Sequence, residues 1–156
     1  MSIYDQEAPT GVFLNVKKAP SSSVNIRLFG EPIMYEKDTE FNGKKERKTK
    51  FATLCLYRNP STKESEIKVY EFGWTVQKQL RQLKNDEDWG NPNEGGYDIT
   101  VKSEGEGLQT EYFVTPRPKK DLTPAELALI DGNDIDLRKA VKADESDDSY
   151  NPYQDS

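Results

Sequence analysis

Histidine is absent from this 156-residue chain, and cysteine occurs once, at Cys55. Without an imidazole or a second thiol, the usual zinc ligand sets, the usual general base for acyl transfer and any disulfide within the chain are excluded. Cys55 lies inside an alternating apolar segment, the setting of a small half-buried side chain and not of a reactive thiol. Only 33% of the residues are hydrophobic, and no apolar run approaches the roughly 18 residues that a membrane span requires. No charged start followed by an apolar stretch marks a secretory signal, so a soluble, cytoplasmic protein with no membrane partner is expected.

What is present is charge, unevenly placed. The net charge is −6, yet residues 17–84 carry 15 Lys and Arg against 8 Asp and Glu, while residues 85–156 carry 7 against 18. Such a division is a pattern of nucleic-acid binders with an acidic tail. The basic part peaks at Lys44, Lys45, Arg47, Lys48 and Lys50, interrupted only by Glu46 and Thr49, and leads straight into Phe51–Arg58, an alternating segment bounded by aromatics. Lysines concentrate phosphate and flat rings stack on bases, so this stretch suits a polyanion that carries rings.

Along the chain, residues 1–23 hold Pro9, Gly11, Pro20 and the run Ser21–Ser23, composing a loose arm with one short apolar patch at Val12, Phe13, Leu14 and Val16. A first strand is predicted from Val24, ending at Gly30-Glu31-Pro32, with Asp38–Lys50 as a polar, basic connection. Strands over Lys50–Tyr57 and Glu66–Gly73 pair as a hairpin across Pro60. This pairing predicts a core face of Ala52, Leu54, Leu56, Ile67 and Val69, and an opposite face of Phe51, Tyr57, Lys68, Tyr70 and Phe72. Val76, Leu80 and Leu83 recur at helical spacing, predicting an amphipathic helix over Trp74–Leu83. Tyr97–Val101 and Leu108–Val114 form a hairpin about Gly105 and Gly107, and Thr115-Pro116-Arg117-Pro118 stops the sheet. Thr123-Pro124 with Glu126 opens a short helix to Ile130, and a second is expected over Ile135–Val141. Residues 143–156 have five acids and no base, a composition that cannot fold alone.

The fold expected is mainly β: a five-stranded OB-like barrel at residues 24–120 with an inserted helix, a short helical extension at 121–142 and a disordered acidic tail at 143–156. A two-sheet sandwich is the alternative. Candidate stackers are Tyr35, Phe51, Tyr57, Tyr70 and Phe72, and candidate phosphate contacts are Lys44, Lys45, Arg47, Lys48, Lys50, Arg58 and Lys68. Lys102, Tyr112 and Arg117 make a second set, while Trp74 and Trp89 are assigned to packing. No cofactor and no metal are expected. Acid runs at Glu36, Asp38 and Glu40 and at Asp86, Glu87 and Asp88 would be the ligands of a magnesium nuclease, but fall in predicted loops without fixed geometry.

Three segments in order, EIKVYEFGWTVQKQLRQL, DEDWGNP and YDITVKSEGEGLQTEYFVTPRPKKDLT, resemble the single-stranded-DNA-binding, helix-destabilising proteins of tailed bacteriophages. The resemblance covers roughly Val24 to Thr123 and implies an OB fold, binding of single strands without sequence choice, and a place in phage replication, recombination and repair in the host cytoplasm. It also implies that the tail, through Asp144, Glu145, Asp147, Asp148, Tyr150 and Tyr153, recruits replication proteins. Some members hold structural zinc, for which this chain lacks the ligands, and the ending at Tyr150-Asn151-Pro152-Tyr153 departs from the acidic-Pro-Phe ending of bacterial single-strand binders. Self-association along the strand is a further expectation. The rival reading is a protein-interaction or virion module on the same barrel.

Overall fold

In a computed structural model, which describes residues 12–41 and 43–141, five strands form one antiparallel sheet. They are β1 (Ser23–Phe41), β2 (Lys44–Arg58), β3 (Ser65–Phe72), β4 (Tyr97–Glu104) and β5 (Glu111–Lys119). The spatial order is β3-β2-β1-β4-β5, with helix α1 (Trp74–Lys84) inserted between β3 and β4. Helices α2 (Pro124–Gly132) and α3 (Leu137–Val141) follow the last strand. No helix among the described residues is long and apolar enough to cross a membrane.

β1 does not end at Gly30. It runs on through an irregularity between Phe29 and Ile33, where Gly30 adopts φ +79 and Asn93 of the α1–β4 loop donates to the Gly30 carbonyl at 3.0 Å and to Thr53 Oγ1 at 2.8 Å. Three residues here lie opposite Thr53 alone, so two are extra and the alternation of side chains keeps its phase. Beyond the bulge, Ile33–Phe41 pairs continuously with Lys44–Ala52, so the expected basic loop is a two-stranded ribbon. Gly43 at φ +78 leads into the second strand of the ribbon, and the sequence at this point, Asn-Gly, is the dipeptide most favoured in two-residue hairpins.

The division of faces is the reverse of the expected one. Phe51, Tyr70 and Phe72 join Val24, Ile26 and Leu28 of β1, Val76 and Leu80 of α1, and Tyr97, Ile99 and Val101 of β4 in the principal core. Their rings interlock, with Phe72 centred 5.7 Å from Phe51 and 5.0 Å from Tyr70. Ala52 and Val69 face a smaller core with Ile33 and Tyr35, covered by Val12 and Phe13 and by Ile135, Leu137, Ala140 and Val141. Large rings fill the broad interior between sheet and α1, whereas the small side chains let the terminal segments lie close against the outer face.

The two sheet edges, β3 and β5, are managed separately. Leu14 N–H donates to the Val69 carbonyl at 2.9 Å, so the segment after residue 11 covers β3, the one docked extension expected of the arm. On β5, Gln79 of α1 acts as a substitute strand: its Nε2 donates to the Tyr112 carbonyl at 2.8 Å and its Oε1 accepts from Val114 N–H at 2.7 Å. Pro116, which the sheet includes although a stop was expected there, shares the outward phase of Tyr112 and Val114 and has no N–H to offer a neighbour. Gln79→Leu should therefore leave Val114 N–H and the Tyr112 carbonyl unpaired and lower stability by about 1–3 kcal/mol in urea unfolding. An unchanged midpoint would remove this role from Gln79.

A chain of largely buried ions fastens α2 to the sheet. Arg27 Nε donates to Asp98 Oδ1 at 2.7 Å, Arg58 Nε donates to Asp98 Oδ2 at 2.6 Å, and Arg58 also pairs with Glu126. Glu126 at the same time accepts from Thr123 N–H at 2.9 Å, closing a capping box with the Thr123 hydroxyl at the start of α2. The expected hairpin turn has Gly105 at φ +86, where an added Cβ would sit 2.4 Å from the Gln109 carbonyl oxygen.

Candidate nucleic-acid interface

Directly opposed residues of an antiparallel pair share a face, so the register assigns the ribbon two sides. Tyr35 opposes Lys50, Lys37 opposes Lys48, Thr39 opposes Glu46 and Phe41 opposes Lys44. This side carries four lysines, of which Lys37, Lys44 and Lys48 are exposed and Lys50 is partly covered at the root. On the other side Glu36, Asp38 and Glu40 oppose Thr49, Arg47 and Lys45. There Arg47 bridges Glu36 at 3.0 Å and Asp38 at 3.3 Å, and the Thr49 hydroxyl donates to Glu36 at 3.3 Å. One side is therefore cationic and the other largely compensated. Lys44, Lys48 and Lys50 come together as a stripe, whereas Lys45 and Arg47 point away from it.

The stripe ends at the mouth of a cavity of about 320 Å3 lying between the edge strands. Lys50, Gly73 and Phe72 line it from the ribbon root, Lys17 from the N-terminal segment, Val76 from α1 and Tyr112 from β5. Beside Gly73 stands Trp74, 51% exposed, its ring centred 4.8 Å from Phe51 in an edge-on contact. Trp74 is thus an exposed aromatic and not the packing residue expected. Trp89, tilted against Tyr97 at 5.0 Å, does pack.

Four expected stackers are withdrawn from solvent. Phe51, Tyr70 and Phe72 belong to the principal core, and Tyr35 is buried with its hydroxyl bonded to Glu71. Burial first, and then the neighbouring Glu71 carboxylate, push the Tyr35 phenol above its ordinary value, while burial does the same for Tyr70 and for the Cys55 thiol. A ring enclosed on both faces offers no stacking surface. Tyr57 and Lys68 are half-buried along a separate groove shared with Lys18 and Asn59. Arg58 is also corrected: both its arms are committed to Asp98 and Glu126, so it belongs to the structural network.

On the later hairpin, Lys102 and Arg117 lie exposed on the outer face, but Tyr112 is of the opposite phase and half-buried. The exposed ring is Phe113, directly opposite Lys102 and 43% accessible. Its place among Glu111, Thr115 and Arg117, in the polar phase of an alternating strand, is the signal that marks it. Of the acids weighed as magnesium ligands, Glu36 and Asp38 are taken by Arg47, and Asp86 accepts from Asp88 N–H at 2.7 Å. Among the described residues no three His, Cys, Asp or Glu side chains gather as a metal site. Asp144, Glu145, Asp147, Asp148, Tyr150 and Tyr153 lie outside the described residues.

No protein-family model, no curated protein and no solved structure matches this chain.

Proposed function

We propose that the chain binds single-stranded DNA without sequence choice, the backbone following the lysine stripe of the ribbon and bases meeting Trp74 at its root. The observation that carries this is the segregation of Lys44, Lys48 and Lys50 onto one side of the ribbon, with Lys37 beside them bridged to Glu71, while an exposed indole, Trp74, rests on Phe51, the next residue after Lys50. Phosphates spaced along a strand release counterions to such a row, and a base on an aromatic face is worth about 1–3 kcal/mol. The strand order, with a helix between the third and fourth strands, is that of an OB barrel lacking its closing ladder, a fold whose strands and loops bind oligonucleotides. On this reading the protein coats single strands during phage replication, recombination and repair in the host cytoplasm. Residues 143–156 would recruit partner proteins and compete with DNA for the stripe, and neighbouring molecules would associate along the strand.

Titration with a poly-pyrimidine oligomer tests it through the chain's two tryptophans. Single strands should quench the fluorescence, with an affinity that falls steeply from low to physiological salt and exceeds that for duplex. Trp74→Ala should remove most of the quenching and weaken binding about 5- to 100-fold, the worth of one stacked base. Binding indifferent to salt and strand state would instead favour a protein-interaction module, for which the exposed Leu127 and Leu129 of α2 are the supporting feature.

A further inference from the structure

The cavity between the edge strands has a composition unlike a packing defect. Tyr70, Phe72, Val76 and Tyr112 line it, the first three almost wholly buried and Tyr112 half-buried and thus the accessible ring, and Lys17 and Lys50 lie among its lining. At about 320 Å3 it falls at the small end of ligand pockets, roomy enough for a single flat heterocycle. Glu71 is the one acid on the lining, and it is engaged by the Tyr35 hydroxyl and by Lys37 at 3.3 Å. Lys17 Nζ donates to Thr110 Oγ1 at 3.0 Å, a neutral partner that a phosphate oxygen would readily replace. The cavity also takes in Gly73, the N-cap of the 11-residue α1, which supplies no side-chain cap and is followed by no acid in the first turn. The first N–H groups of the helix therefore add to the positive potential of the two lysines.

We propose that this cavity receives one nucleobase of the bound strand, its sugar-phosphate lying across Lys17 and Lys50. The inference rests on the single-strand reading above and extends it: Trp74 stacks a base in the open, and the cavity encloses a neighbouring one. Each molecule would then be pinned at one nucleotide while the ribbon holds the flanking backbone electrostatically. Because the accessible ring, Tyr112, offers a flat face and the remaining apolar lining makes no base-specific hydrogen bond, any base can enter, which keeps the binding free of sequence choice.

The test compares an oligothymidine with a chain of equal length built wholly of abasic tetrahydrofuran units, titrated against the full-length protein and against Val76→Phe, which fills the cavity. The wild type should prefer the oligothymidine. Val76→Phe should reduce that preference about 5- to 100-fold, beyond what Trp74→Ala removes, and leave the abasic chain bound as before. Since Val76 is buried and the variant could fail to fold, Tyr112→Ala, at a half-buried wall position, provides the second measurement and should lower the preference in the same direction. If the wild type binds single strands with steep salt dependence but folded Val76→Phe and Tyr112→Ala keep the full preference, the cavity inference fails and the single-strand reading stands. If the wild type binds neither chain, the single-strand reading itself fails.

Discussion

Replacing Lys44, Lys48 and Lys50 together with alanine should reduce the slope of log affinity against log salt by about 2, at about 0.7 for each single-strand phosphate deprived of its lysine. The gap between wild type and variant should then shrink by about twentyfold as salt rises from about 50 to about 200 mM. Arg47→Ala is the control from the opposite side of the same ribbon. Its guanidinium is spread between Glu36 and Asp38, so its removal should change the slope by well under one unit. Equal slopes for the two variants would mean that the ribbon has no preferred side, and the stripe would lose its meaning as a backbone track.

The second large effect is on stability. Asp98→Ala should cost about 3–5 kcal/mol in denaturant unfolding, because Arg27 and Arg58 would keep their charge in the interior with their shared carboxylate gone. Burial pushes the Asp98 carboxyl upward, but hydrogen bonds from Arg58 and then Arg27, with their charges, outweigh it and hold the group below its ordinary value of 3.8. The folded state thus binds this proton less readily than the unfolded chain. The stabilisation is complete above about pH 4 and is lost as pH falls below that value through the folded one. Acid unfolding should accordingly begin at higher pH in Glu126→Gln, which weakens the adjoining link of Arg58 to α2, with hydrogen exchange rising first over 124–141. A variant that unfolds in acid as the wild type does would show that the network does not govern the transition.

Much of the architecture could be read from alternation and turn residues. Val24–Leu28, the α1 spacing and the Thr123–Glu126 capping box all took the form expected, and the hairpin about Gly105 formed with a 3-10 turn over Gly107–Gln109, so that its second strand starts at Glu111 and not at Leu108. The choice of face could not be read so directly. Both phases of β2 and β3 are apolar, and alternation alone does not say which phase meets the larger core; that depends on α1 and on the terminal segments that arrive from elsewhere in the chain. Aromatic rings near lysines suggested an outer binding face, yet ring volume was needed inside. The ribbon was hidden for a different reason: its strands are polar on both sides, so no hydrophobic period marks them, and only Asn42-Gly43 announces the turn. Trp74 escaped because exposure of a large ring at the start of a helix follows from packing geometry, whereas Phe113 was legible from the polar phase it shares with Glu111, Thr115 and Arg117.

The bulge at Gly30–Pro32 gives the ribbon an unusual sensitivity to chain length. Its two extra residues preserve the phase of β1, so insertions or deletions of two there leave every later side chain on its present side. Deletion of a single residue, with the bulge keeping its size, would bring Glu36 opposite Lys50 and Asp38 opposite Lys48, placing carboxylates on the lysine side while leaving the charged residues themselves unchanged. Divergent versions of this chain should therefore tolerate many substitutions along the ribbon, while length changes at this bulge should survive only where the bulge itself absorbs them and Ile33 stays opposite Ala52.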